Sequence, residues 1–184
     1  MYKAGPTKVI AFIATLLFSS TVFAQEDLSL KELEAQVRKG SFEAQAELAH
    51  RYYKGDRVKQ DLKKAAELFT ELAKQEVAQA QLTLGLMYIK GEGVQKDDAK
   101  AVEWLEKAAS QRLSTAQYLL GVAYEEGHGV KRNLVTAYMW YEIASALTHD
   151  YSEIAKKKLA DQLSDKEITE AEQNASQWWL QHHH

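Results

Sequence analysis

Ala80 to Ala109 reads AQLTLGLMYIKGEGVQKDDAKAVEWLEKAA, two amphipathic segments joined by a glycine-rich turn. In the first segment Ala80, Leu84 and Tyr88 stand four apart and form one apolar stripe of a helix. Gly91 stands where that helix ends, in the left-handed conformation glycine reaches without a Cβ clash. Asp97 then offers a side-chain acceptor to an orphan N–H of the next helix, which carries Ala101, Trp104, Leu105 and Ala108. Gly85 lies inside the first helix at a propensity penalty of roughly 1 kcal/mol against alanine, which predicts close approach of a neighbouring helix.

The pattern recurs in steps of 36 residues. Ala44, Ala80 and Ala116 fall in register, as do Leu48, Leu84 and Leu120, and Tyr52, Tyr88 and Tyr124. Gly55, Gly91 and Gly127 follow, then Val58, Val94 and Val130, then Asp61, Asp97 and Asn133, then Ala65, Ala101 and Ala137. A period of this size predicts stacked supersecondary units that cover one another's apolar faces. The third unit repeats the helix glycine at Gly121 and the second-helix pattern at Ala137, Trp140, Tyr141 and Ala144.

These residues resemble the Sel-1-like repeats, relatives of the tetratricopeptide repeats, over Phe42 to about Leu147. The resemblance implies an all-α fold, a right-handed superhelical solenoid of stacked antiparallel helix pairs. Unit one departs from the pattern, with Ala49 for the helix glycine, Arg57 for the second loop glycine and Leu68 for the tryptophan, so a differently shaped loop is expected there.

Residues 1–24 read as a signal peptide: Lys3 and Lys8 precede an apolar run, and Val22, Phe23 and Ala24 form a cleavage site before Gln25. The apolar run is too short to span a bilayer. The chain is therefore expected to be periplasmic or secreted, with no membrane span after cleavage. It has no cysteine, which excludes disulfides, a thiol nucleophile and thiolate metal sites, and its only proline, Pro6, lies in the signal segment. A formal net charge of -3 and the lack of a basic stripe argue against nucleic acid.

Residues 25–184 read as a single domain. In the segment 28–40, Ser29 and Glu32 form a capping box before an amphipathic helix of Leu30, Leu33 and Val37 that covers the first unit. The repeats are placed at 42–76, 77–112 and 113–147. In 150–180, Asp150 caps one helix, and Ser164 with Glu167 opens another that carries Ile168, Ala171, Ala175 and Trp178. This tail looks like the C-terminal extension of secreted bacterial members of the family, which closes the superhelix. His182, His183 and His184 (182–184) read as a tag remnant.

No catalytic, cofactor-binding or metal-ligating constellation emerges, and the expectation is a non-enzyme without cofactor. The loops at Gly91, Glu92, Gly93 and at Gly127, His128, Gly129 lack the preceding strand that phosphate-cradling loops need. His50, His128 and His149 show no i, i+4 pairing, and no serine is followed three residues later by lysine. Glu103, Glu106, Glu125 and Glu126 read as solvated helix faces, and Trp104 and Trp140 as core. Trp178 and Trp179 lie outside the repeat, so one of the two rings, Trp179, is a candidate contact.

The expected function is a protein–protein interaction scaffold gripping its partner on the concave face, which the first helices line. Gln45, Gln81 and Gln117 recur beside the core alanines, whereas Arg51 and Met87 differ at one equivalent position and Tyr53, Ile89 and Glu125 at another. These eight residues and Trp179 are the candidate partner-binding set. The resemblance implies an immunity protein neutralising a secreted toxic effector, or an envelope adaptor or regulator. The rival it also implies, through penicillin-linked members, is an envelope enzyme or binding protein acting on peptidoglycan or β-lactams.

Overall fold

The computed structural model describes residues 29–147 and 150–182, with the Asp150 side chain left aside. The signal segment, His149, His183 and His184 lie outside the described residues. All regular structure among the described residues is helical: α1 (Leu30–Arg38), α2 (Phe42–Lys54), α3 (Leu62–Lys74), α4 (Ala78–Lys90), α5 (Asp98–Ser110), α6 (Ser114–Glu126), α7 (Leu134–Ser145), α8 (Asp150–Ala160) and α9 (Asp165–Gln181). Each helix from α1 to α8 packs on its sequence neighbours, while α9 returns to α7, giving a right-handed superhelical solenoid.

The caps predicted for the second helices form, and that at Asp150 lies outside the described side chains. Asp61, Asp97 and Asn133 accept the N–H of Lys64, Lys100 and Thr136 at 3.0, 3.0 and 3.1 Å, and both capping boxes close. First helices end at Gly55, Gly91 and Gly127 with φ of 74°, 71° and 79°. In each unit the cap residue's own N–H then donates to the carbonyl of the tyrosine at the end of the first helix, Tyr52, Tyr88 or Tyr124. The expectation of a differently shaped loop in unit one is therefore corrected: Arg57 adopts a left-handed φ of 56°, close to the 72° of Gly93, and the loop's backbone bonds are the same.

The apolar stripes join into a row of clusters along the stack. Leu33, Ala44 and Leu48 seal α1 on α2, and Ala65, Phe69, Leu72, Leu84 and Met87 fill units one and two. Val102, Leu105, Leu120, Trp140 and Ile143 continue into unit three, where Tyr141, Leu159 and Ala171 bind the C-terminal helices. Each large side chain so buried contributes about 1.5–3 kcal/mol, and cysteine-free packing of this kind holds the stack.

Buried glutamines stitch successive units. Gln81 Nε2 donates to the carbonyl of Ala73 at 3.1 Å and Gln117 Nε2 to that of Ala109 at 3.2 Å, each at the end of the preceding second helix. Gln111 Nε2 donates to Gln81 Oε1 at 2.8 Å, whereas the position 36 residues on is Leu147, and Gln117 Oε1 has no partner among the described residues.

The helix glycines mark close crossings of unequal tightness. A Cβ at Gly85 would meet the Leu105 side chain at 3.1 Å, but one at Gly121 would enter the Tyr141 ring, 2.3 Å from Cε1. Alanine gains about 1 kcal/mol of helix propensity at either site. We expect Gly85→Ala to fall within about 1 kcal/mol of wild type because Leu105 can shift, and Gly121→Ala to destabilise by about 1–3 kcal/mol through overpacking. Urea unfolding of the two variants checks the order.

Candidate protein-binding face

In each first helix the buried stripe is set by 3.6-residue periodicity. Ala44, Leu48 and Arg51 point inward together, as do Ala80, Leu84 and Met87, and Ala116, Leu120 and Ala123. Four of the nine candidate contacts share that interior. Arg51, Gln81, Met87 and Gln117 are 5%, 2%, 0% and 0% exposed, so the reading of these four as partner contacts is corrected. Arg51 Nε is paired with Glu47 Oε1 at 2.7 Å, and the two glutamines are held by the carbonyls named above.

The other candidates are half-buried and engaged. Gln45 Nε2 donates to the Leu68 carbonyl at 3.2 Å, and the Tyr53 hydroxyl donates to Glu92 Oε2 at 2.7 Å, bridging units one and two. That bond, with burial adding to it, holds the Tyr53 phenol above its ordinary range. Ile89 packs against the central cluster. Trp179 stands edge-on to Trp178, with ring centroids 5.1 Å apart, and beneath the Arg112 guanidinium, 5.0 Å from its centroid.

The accessible stripe of the first helices lies elsewhere. It runs through Glu43, Glu47 and His50 in α2, through Gln79, Thr83 and Leu86 in α4, and through Thr115, Leu119 and Val122 in α6. Of these, Glu43, Glu47, His50, Gln79 and Thr115 are exposed and the rest half-buried. No position in this stripe repeats its residue from unit to unit, and the side chains pass from acidic and imidazole to neutral and apolar along the stack. The signal that finds it was present in the sequence: Ala44, Leu48 and Arg51 are spaced four and three apart on one helix face, and the positions one before each, Glu43, Glu47 and His50, fall on a neighbouring face about 100° round.

Glu103, Glu106 and Glu126 stand exposed, as expected of solvated helix faces. Glu106 is pushed up by partial desolvation and by the Glu103 carboxylate, and Lys107 Nζ lies 4.1 Å from the centroid of the half-buried Trp104. Glu125, expected on a solvated face, is instead half-buried and accepts from the Tyr141 hydroxyl at 2.6 Å. Burial first, and then this bond, hold Tyr141 neutral far above its ordinary value of 10.0. A phenol whose pKa is raised by folding contributes stability below the unfolded value and loses it as pH rises through and beyond that value. We therefore expect an alkaline loss of stability above about pH 10 that Tyr141→Phe diminishes, with a penalty of about 1 kcal/mol at neutral pH. Thermal melts of both proteins across that range provide the check.

His128 is exposed in its loop, with Nδ1 3.1 Å from Glu126 Oε2. Among the described residues no three histidine, aspartate or glutamate side chains converge as metal ligands would, and no described helix is long and apolar enough to cross a membrane. What the geometry offers is a wall of helices with a varied, accessible stripe.

The Sel1 repeat family model matches residues 42–77, 78–113 and 114–149. Among solved structures the chain is similar to c5321, a protective antigen present in uropathogenic Escherichia coli strains displaying an SLR fold, with 38% identity and a TM-score of 0.65 over 68% of this chain. It is also similar to a Sel1 repeat protein from Oxalobacter formigenes, with 36% identity and a TM-score of 0.63 over 70% of this chain. The chain spans 27% of the length of the antigen and 97% of the second protein. No curated protein matches it.

Proposed function

The chain belongs to the Sel1 repeat family, whose repeats generally mediate protein–protein interaction and are typically non-catalytic, and from that premise we propose that it grips a protein partner along the exposed stripe of its first helices. The observation that carries this reading is the contrast between repetition inside and variation outside. Two buried registers keep Ala and Leu through all three units and a glutamine recurs beside the alanines, while Glu43, Gln79 and Thr115, or His50, Leu86 and Val122, differ at every step. A scaffold needs the first property, and recognition of one partner needs the second.

Export supports a partner outside the cytoplasm, in the periplasm or beyond the cell. It rests on the charged, apolar and small-residue order of residues 1–24. It agrees with the description of c5321 as a protective antigen, although the chain spans only 27% of that protein. Within this reading the partner is a secreted toxic effector that the protein neutralises, or an envelope component it recruits.

The test is binding after substitution of the stripe. Glu43→Lys, His50→Glu, Gln79→Glu and Thr115→Lys together are expected to weaken capture of the partner by about 100-fold or more, with little change in melting temperature. Glu67→Lys with Glu103→Lys on the second helices should leave it unaltered. Undiminished capture by the stripe variant would remove this face from consideration.

A further inference from the structure

Helix α8 begins where the third repeat ends, yet it keeps the register of a first helix. Continuing the 36-residue step from Ala44, Ala80 and Ala116 reaches Ser152, and from Arg51, Met87 and Ala123 it reaches Leu159. Ser152 and Leu159 are fully buried, and α8 lies on α7 as α4 lies on α3 and α6 on α5. The leucine register falls on Lys156, whose ammonium is held by Glu142 at 2.9 Å and Glu153 at 2.8 Å. The accessible stripe therefore continues onto a fourth helix. One position before each inward residue stand Tyr151, Ala155 and Lys158, in register with Glu43, Glu47 and His50. Tyr151 is 70% exposed, Lys158 is exposed and Ala155 half-buried.

Along the four helices this stripe carries formal charge at its two ends and none between. At α2, Glu47 is tied to Arg51, while Glu43 accepts the Ser41 hydroxyl at 3.0 Å, a neutral donor that leaves the carboxylate its charge. The six positions on α4 and α6, Gln79, Thr83, Leu86, Thr115, Leu119 and Val122, hold no ionisable group. At α8 the stripe ends on Lys158; the neighbouring Lys156 and Lys157 share Glu153, at 2.8 and 3.3 Å. Lys54, Lys90 and Glu126 stand about a turn further on, at the loop edge, the last two beside Glu92 and His128. A charge-free centre with charged margins is the composition of a contact surface whose core excludes water and whose rim fixes orientation.

We propose that α8 completes the partner-binding wall, and that the wall takes one segment of a partner protein with apolar side chains over α4 and α6, a cationic side chain at Glu43 and a carboxylate at Lys158. This rests on the reading above that the first helices hold a protein, and adds to it a fourth helix and the order of charges in the bound segment.

Cross-linking with mapping of the joined residue tests it. In the cells that make the protein, a benzophenone amino acid replaces His50 at one end, Thr115 in the centre, or Ile154 at the other end, which is 65% exposed and shares a helix face with Tyr151 and Lys158. All three are expected to join the same protein, within a stretch of net positive charge for His50 and of net negative charge for Ile154. Glu43→Lys and Lys158→Glu should each lower the yield from Thr115 by about threefold or more, while Lys63→Glu with Glu103→Lys on the second helices leaves it unchanged. These positions are exposed, so the melting temperature should hold in every variant. An adduct from Thr115 with none from Ile154 would overturn the proposal and leave the first-helix reading in place; an adduct from Ile154 alone, or from neither, would remove both. Net charge of one sign at both mapped ends, a Thr115 yield indifferent to the two reversals, or a joined protein that is a second copy of this chain would each overturn the proposal as well.

Discussion

Gly129→Ala is expected to destabilise the protein by about 3–5 kcal/mol. Two causes add. The φ of 72° places an L side chain in the left-handed region, at about 1–2 kcal/mol. The new Cβ would also stand 2.2 Å from the Asp98 oxygen, 2.4 Å from its carbonyl carbon and 2.8 Å from the Ala99 nitrogen. These are backbone atoms of the first turn of α5, and no rotamer change relieves the overlap. The loop of unit three must lift from unit two. Gly40→Ala separates the causes, because Gly40 has a φ of 86° and nothing within 4 Å of its added Cβ, leaving strain of about 1–2 kcal/mol alone. Urea unfolding of both variants measures the difference, and equal losses would mean that the loop is not pressed on its neighbour.

Trp140→Ala should cost about 3–5 kcal/mol. Its ring, 9% exposed, belongs to the cluster that joins units two and three, and stands edge-on to Trp178 at a centroid separation of 5.9 Å. Its loss removes the surface on which the end of α9 rests, so α9 should become cleavable by protease before the repeats unfold. Trp104, 36 residues earlier, is half-buried beneath Lys107, and Trp104→Ala should cost about 1–2 kcal/mol. The pair Trp140→Ala and Trp178→Ala should be non-additive by about 1 kcal/mol, since either change alone already breaks the stack. Additive losses would place the two rings in independent environments.

The repeat was legible because each unit solves the same packing problem. The cap at Asp97 demands a short side-chain acceptor and the left-handed turn at Gly91 a glycine, and recurrence after 36 residues exposes the demand. The binding face was less legible because variation has two causes. Arg51, Met87 and Ala123 vary in a buried register, where side chains of different size compensate for one another, yet position 51 is three residues from Leu48 and seven from Ala44. That spacing alone assigns it to the interior. Glu43, Gln79 and Thr115 vary on the exposed face, and only the periodicity tells the two cases apart. The return of α9 to α7 had no such guide: Trp178 and Trp179 have no counterpart in the repeats, and their partners Trp140 and Arg112 lie in distant units. The bond from Tyr53 to Glu92, 39 positions apart, likewise depends on how one loop meets the next helix.

Site-directed photo-cross-linking in the cells that make the protein tests the central claim most directly. A benzophenone amino acid is placed in turn at Glu43, Gln79 and Thr115 on the first helices, and at Lys63, Glu67 and Glu103 on the second. A wall that holds its partner through the first helices predicts one discrete adduct from the first set and none from the second. Adducts of equal yield from both sets, or from the second alone, would contradict it.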